Sequence, residues 1–318
     1  MALVNWLVLA GGISALIFGL HIMSSGLKLT AAPRLKKYLE LFTSNPLLGA
    51  LTGTVATMIL QSSSITTIMV VGLVNTGLID LSRGISIIIG ANIGTTITAQ
   101  ILAFQLTDWA LPITAMGLVI LLLGRFKGVY LFGLGKSLSG AGLLFLGLHM
   151  MTTAVKPLRE SPLILNLLIE AGEVPLQGVL MGALSTFLFQ SSGAVIGIIM
   201  AMSLQGIVSL SASIAIILGA DMGTCITSMI ASIGTGINAR RTAFAHLLFN
   251  IIGATCLLTI FNVFTSIVME TSSDVTRQIA NAHTFYNIFN ALIILPFVNI
   301  FARIVEYIIP ERKPGNVR

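Results

Sequence analysis

Residues 49–101 and 178–230 are one segment written twice: at a shift of 129 positions, without a gap, twenty of fifty-three pairs are identical. A chain carrying two such copies is constrained to fold as two related units that meet. The matches fall on polar residues that an apolar helix ordinarily avoids. Gln61-Ser62-Ser63 aligns with Gln190-Ser191-Ser192, and Gly90-Ala91-Asn92-x-Gly94-Thr95 with Gly219-Ala220-Asp221-x-Gly223-Thr224. Polar breaks at corresponding places in two apolar halves point to interrupted helices around a site at mid-membrane.

That the chain lies in a membrane follows from composition. It is 55% hydrophobic and only 9% charged, against about 25% charged in soluble domains. Apolar stretches near the length of about 20 residues that a bilayer requires occur at 6–27, 84–105, 134–155, 211–233, 244–268 and 284–302, with a shorter one at 109–124. These predict an all-α polytopic membrane protein in contact with lipid. The first stretch has no basic residue before it and no small-residue cleavage site after it, so it is expected to stay. Gly19-Leu20-His21-x-Met23 also recurs as Gly147-Leu148-His149-x-Met151. An interhelical hydrogen bond is the ordinary expectation for His21 and His149. The net charge of +6 comes from loops and termini, with no basic face interleaved with aromatics, so no nucleic-acid partner is expected. Fourteen of the seventeen Lys and Arg, with Arg312, Lys313 and Arg318 among them, fall on one side if the N-terminus is outside, against Lys156, Arg159 and Arg277 opposite. The positive-inside rule then makes the C-terminus cytoplasmic. Cys225 and Cys256 lack any metal or disulfide spacing and are expected to be small buried hydrophobes.

The apolar runs flanking each Gln-Ser-Ser element, 47–60 with 65–79 and 176–189 with 194–208, are too short to span separately. Runs of 10–14 apolar residues are more often re-entrant, which predicts two helical hairpins with their tips inside the protein. Irregular backbone is tolerated at that depth only where it is buried or lines a wet cavity. Residues 1–318 then form a single transmembrane domain: repeat one about 6–105, a connecting span about 109–127, repeat two about 134–233, and C-terminal helices about 244–309. Three crossings separate the hairpins, an odd number, so the repeats are expected in inverted topology. Residues 156–175, with two Pro and mixed charge, are expected to be a linking loop. Downstream, Ala245-His246-x-x-x-Asn250 recurs as Ala282-His283-x-x-x-Asn287. This i, i+4 spacing places the polar pairs on one face turned inward. Helix-to-helix bonding is the plain expectation for them, and Thr96, His246, Asn250, His283 and Asn287 are candidate cavity-lining residues.

A Gln-Ser-Ser-Ser run amid Leu, Ile and Met must find partners, because each unsatisfied polar group in hydrocarbon costs several kcal/mol. At the start of a half-helix the free backbone N–H groups and the dipole make an anion site without Lys or Arg. Two such tips meeting would surround a tetrahedral anion with donors. Sodium, a hard cation, would take the side-chain carbonyls of Gln61 and Gln190 with Ser and Thr hydroxyls. Candidate sodium ligands are Gln61, Ser63, Asn92, Thr95, Gln190, Ser192, Asp221 and Thr224; sodium is the only metal expected and no other cofactor is. Gly90/Gly94 and Gly219/Gly223 are close-packing pairs expected to bring Asn92 and Asp221 toward the tips.

These motifs, with the Ala-His-x-x-x-Asn elements, resemble the type II sodium–phosphate cotransporter family over roughly residues 10–300. The resemblance implies a sodium-coupled carrier of inorganic phosphate working by alternating access. It places phosphate on Gln61, Ser62, Ser63, Ser64, Gln190, Ser191 and Ser192. Three positions depart from a symmetric pair: Ser64 is matched by Gly193, Thr96 by Cys225 and Asn92 by Asp221. The form expected is one without the soluble C-terminal regulatory domain carried by many relatives. Another oxyanion, or coupling to protons through Asp221, stays open, as does a homo-oligomer. An intramembrane serine hydrolase is disfavoured, since no Gly-x-Ser-x-Gly elbow occurs and duplicated serines have no single base.

Overall fold

Apolar helices end where the chain offers a residue that leaves the helix without stranding its backbone. In a computed structural model, which describes residues 6–41 and 45–311, every regular element is helical. The first half runs α1 (Trp6–Leu41), α2 (Pro46–Leu60), α3 (Ser63–Asn75), α4 (Leu81–Leu102) and α5 (Ala110–Lys127). The second runs α6 (Val129–Ala154), a 3-10 turn Lys156–Glu160, α7 (Pro162–Glu173), α8 (Pro175–Phe189), α9 (Ser192–Leu204) and α10 (Leu210–Ala231). Then follow α11 (Ile237–Thr259), α12 (Phe261–Met269), α13 (Val275–Ile294), a 3-10 turn Leu295–Phe297 and α14 (Val298–Ile308). Among the described residues, seven helical segments are long and apolar enough to cross a membrane, or eight if the bent pair Ile164–Glu173 and Pro175–Phe189 counts as one span. The chain is an all-α polytopic membrane protein.

Each boundary of α8, α9 and α10 lies 129 positions after its counterpart in α2, α3 and α4. The shared local causes are visible. Pro46 and Pro175 open their helices at the first position, where the missing N–H is not needed. Asp80 and Ser209 cap the long helices through bonds to Arg83 N and Ala212 N. Lateral packing is equally matched. A Cβ on Gly90 would lie 1.7 Å from Ala50 O and one on Gly53 1.9 Å from Ile87 O; on Gly219 and Gly182 the figures are 1.8 Å to Val179 O and 1.9 Å to Ile216 O. Only glycine lets α2 touch α4, and α8 touch α10, backbone to backbone. In lipid, where apolar burial between helices gains nothing over acyl chains, such close van der Waals contact holds the pairs together. α3 packs on α4, α10 and α11, whereas α9 packs on α10, α4 and α13, so the two halves exchange partners across the centre.

A second duplication, at a shift of 37, emerges in the C-terminal third. Residues 237–269 and 274–306 are identical at twelve of thirty-three pairs, including Arg240/Arg277, Asn262/Asn299, Phe264/Phe301 and Val268/Val305. Each copy is a long helix, a break and a short helix. The buried faces correspond position by position: Phe261, Phe264, Thr265 and Val268 in α12, Val298, Phe301, Ala302 and Val305 in α14. The copies also fasten each other. Arg241 Nε donates to Ile309 O at 2.9 Å, and Gln278 Nε2 donates to Ser272 O at 2.6 Å, both pairs being related by the same shift.

Several expectations are corrected. The stretch 244–268 is no single span: it starts at Ile237 and breaks at Ile260. The stretch 284–302 lies within one longer candidate span, Val275–Ile308, which tightens into a 3-10 turn at Leu295–Phe297, where Pro296 removes an N–H. The expected loop 156–175 is helical, because the apolar face of Leu165, Leu168 and Ala171 has α8 and α10 to pack on. His21 and His149 are exposed and make no side-chain hydrogen bond among the described residues, in place of the bond expected. Arg312, Lys313 and Arg318, counted toward orientation, lie outside the described residues.

Candidate functional site

Gln61 ends α2 in the left-handed conformation (φ 49°, ψ 31°), and Gln190 ends α8 in the same way (φ 54°, ψ 24°). This region is uncommon for a residue with a Cβ. Each amide folds back on its own helix: Gln61 Nε2 donates to Met58 O at 2.7 Å and Gln190 Nε2 to Phe187 O at 2.6 Å. A C-terminal carbonyl that the helix leaves unpaired is thereby satisfied. The next residues, Ser62 and Ser191, are extended and cap α3 and α9 through bonds to Ile65 N (3.3 Å) and Ala194 N (3.2 Å). Within two residues the chain leaves one helix and opens another, so a C-terminus and an N-terminus meet at each tip. The N–H groups of Ser63 and Ser64, and of Ser192 and Gly193, are first-turn amides with no partner inside their helices.

Both tips line one cavity of about 60 Å³, where a single water needs about 10–15 Å³ by the same measure. Gln61, Ser62, Ser63 and Ser64 come from one tip, Gln190, Ser191, Ser192 and Gly193 from the other. α4 adds Thr95 and Thr98, α10 adds Thr224, and α1 adds Leu20. Ten of the twelve lining residues therefore carry an amide or hydroxyl, and none is charged. Thr98 Oγ1 donates to Gln61 Oε1 at 3.0 Å, tying the first tip to α4. Thr227, its repeat counterpart, instead bonds Thr224 O, leaving Gln190 exposed. A Cβ on Gly193 would stand 3.3 Å from Thr98 Cγ2, a contact that asks a few tenths of an ångström of give, and 3.4 Å from Leu20 Cδ1, an ordinary contact. The donor set, hydroxyls, amide carbonyls and free N–H groups, suits a hard monovalent cation and an oxyanion; it holds none of the thiolate or imidazole that selects zinc or copper.

Asn92 and Asp221, expected beside the tips, turn away from them. Asn92 Nδ2 donates to Asn250 Oδ1 (3.1 Å) and its Oδ1 meets His246 Nε2 (3.2 Å). Asp221 meets His283 Nε2 at 3.1 and 3.2 Å and accepts from Asn287 Nδ2 at 2.8 Å. Each Ala-His-x-x-x-Asn element thus clasps the polar residue of one repeat, and His246, Asn250, His283 and Asn287 line no part of the cavity. All are buried. Thr96 is buried too and bonds Ile93 O on its own helix. Cys225, in Thr96's place, accepts from Asn250 Nδ2 at 3.3 Å. Ser228 Oγ pairs with His246 Nδ1 at 3.3 Å. Its repeat counterpart is Ala99, and the corresponding His283 Nδ1 is buried without a partner. Thr98, Gly193 and Leu20 are the lining residues absent from the expected ligand set; Thr98 was legible as a third hydroxyl one turn beyond Thr95 and Gly193 as the counterpart of Ser64, whereas nothing in the sequence marks Leu20.

The family model described as Na+/Pi-cotransporter matches residues 15–153 and 161–294, both halves of this arrangement. The chain belongs to the Na+/Pi-cotransporter family. It is 32% identical over 263 residues to Bacillus subtilis "Uncharacterized protein YqeW", covering 82% of this chain and 84% of that one. It is 29% identical over 265 residues to the Salmonella typhimurium protein named "Putative inorganic phosphate export protein YjbB", covering 83% of this chain and 48% of that one. It therefore spans about half the length of that relative. Human "Sodium-dependent phosphate transport protein 2B" is 37% identical over 101 residues, 31% of this chain and 15% of that one. No solved structure matches the chain.

Proposed function

We propose that this Na+/Pi-cotransporter family member carries inorganic phosphate across a bacterial cytoplasmic membrane, coupled to sodium, by alternating access around the paired Gln-Ser-Ser tips. The observation that carries this reading is the single uncharged cavity into which both tips open. Ser63, Ser64, Ser192 and the first-turn amides of α3 and α9 would hold the phosphate oxygens. Gln61, Gln190, Thr95, Thr98 and Thr224 would offer oxygens to sodium, whose charge offsets that of the anion in a site without Lys or Arg. The matched boundaries of α2–α4 and α8–α10, and their exchanged packing partners, support two inverted repeats with re-entrant hairpins. Orientation follows the basic residues, N-terminus outside and C-terminus cytoplasmic. Neither His246 nor His283 lines the cavity, so its serines have no imidazole base, which argues for carriage over hydrolysis.

Uptake of labelled phosphate into proteoliposomes under an imposed sodium gradient tests the proposal. Flux that requires the gradient and resists excess sulfate is the expected outcome. Flux that ignores sodium, or none from monodisperse folded protein, contradicts it.

A further inference from the structure

Arg240 and Arg277 occupy the same place in the 37-residue duplication, in the first turns of α11 and α13. A cation there opposes the helix dipole. Among the described residues neither guanidinium has a carboxylate at ion-pair distance. Asp274, the nearest acid in sequence to Arg277, already accepts from Gln105 Nε2, Thr276 N and Thr276 Oγ1. Fastening of the helix ends is done by the neighbouring residues Arg241 and Gln278. A structural partner for the two arginines is correspondingly slight. Arg277 Nη1 donates to Gln100 Oε1 at 2.8 Å, with the guanidinium 4.7 Å from the Phe104 ring centroid, which leaves most of its five N–H donors free. Arg240 is exposed, makes no side-chain bond among the described residues, and faces a cavity of about 440 Å³ formed with Met229, Ile230, Ile233 and Phe244.

Their positions are reciprocal. Arg277 stands at the C-terminal end of α4, the helix that carries Thr95 and Thr98 to the central cavity; Arg240 stands at the C-terminal end of α10, which carries Thr224. No cationic side chain lines the central cavity, so no charged residue there draws an anion from a distance. An unneutralised guanidinium at a mouth raises the local anion concentration, and its fork matches phosphate oxygens. We infer that Arg277 and Arg240 are paired recruiting sites for a phosphate oxyanion, one at each mouth of the protein, acting before the anion reaches the tips. The inference rests on the proposed carriage of phosphate. In the proposed orientation Arg277 serves the outer face and Arg240 the cytoplasmic face. The same chemistry would also fit a lipid headgroup phosphate.

Phosphate flux into right-side-out and inside-out vesicles, measured for wild type, Arg277→Gln, Arg277→Lys and Arg240→Gln at low and high ionic strength, separates these cases. Arg277→Gln is expected to raise KM about three- to tenfold from one face only, with the salt dependence of that KM reduced; Arg240→Gln does the same from the other face. Arg277→Lys, which keeps the charge, restores KM to within about twofold. Unchanged KM in both variants, equal loss from both faces, or Lys behaving like Gln overturns the inference. So does an effect on thermal stability alone that changes with the anionic lipid content of the vesicles, which marks a headgroup anchor. Wild-type vesicles without phosphate flux would overturn the carriage reading as well; wild-type flux with indifferent variants overturns the recruiting sites alone.

Discussion

At Gln61 and Gln190 the chain holds a bulky side chain in left-handed backbone, a conformation costing about 1–3 kcal/mol that persists only where the surroundings over-determine it. Here the compensation is visible in the amide bonds to Met58 O and Phe187 O. The two halves differ at single residues, and those differences have measurable consequences. Thr57 Oγ1 donates to Thr66 Oγ1 at 2.9 Å, but in the second repeat Thr66 becomes Val195 and the buried Thr186 Oγ1 has no partner. Val195→Thr restores the pair with nearly the same shape, so thermal unfolding in detergent should show a gain of about 0.5–1.5 kcal/mol. The clasp on Asp221 gives the opposite sign. Asp221→Ala strands His283 Nε2 in the interior, at a cost of about 1–3 kcal/mol, and leaves Asn287 Nδ2 with only its bond to His283 O. Asp221→Asn, which copies Asn92 of the first repeat, keeps an acceptor and should lose less; retained sodium-driven flux in that variant would show that the carboxylate is not the coupling group.

Helices were the most legible level of this sequence, and only where polarity interrupts them. The expected segments 47–60 and 176–189 sit within a residue of Pro46–Leu60 and Pro175–Phe189, because proline, glutamine and serine each mark an end by a known mechanism. The breaks at Ile260 and Leu295–Phe297 went unseen, since hydropathy runs through them unchanged. The signal that would have shown them is the recurrence of Asn262, Phe264 and Val268 at Asn299, Phe301 and Val305. The misplacement of Asn92 and Asp221 has a helical cause as well. Steps of three residues drift by about 60° around a helix, so Asn92 stands two steps and about 120° from Thr98, on the side that meets Asn250 and His246 of α11. Contact between elements is tested by Gly90→Ala and Gly219→Ala. Their Cβ atoms would fall 1.7 and 1.8 Å from backbone oxygens of α2 and α8, a clash beyond the roughly 1–3 kcal/mol of ordinary overpacking. Loss of monodisperse protein on size-exclusion chromatography is expected. Gly72→Ala, with nothing within 4 Å of the new methyl, should instead gain about 0.5–1 kcal/mol in helix stability.

For the molecule as a whole, α4 and α10 are the elements everything else refers to. α4 carries Thr95 and Thr98, and α10 carries Thr224, to the cavity on one face; each packs a hairpin through glycine on another and is clasped by a His-Asn pair on a third. In the proposed carriage, α4 and α10 are the frame against which the two tips would expose one site to two sides in turn. The account stands on the claim that the tips share one ion site. Its most direct test places single cysteines at Ser64 and Ser191, in protein with Cys225→Thr and Cys256→Ala, and follows thiol modification while phosphate is titrated in the presence of sodium. The account predicts that phosphate protects both positions with the same half-saturating concentration and that sodium is needed for each. Protection at one tip alone, or at two unrelated concentrations, would contradict it.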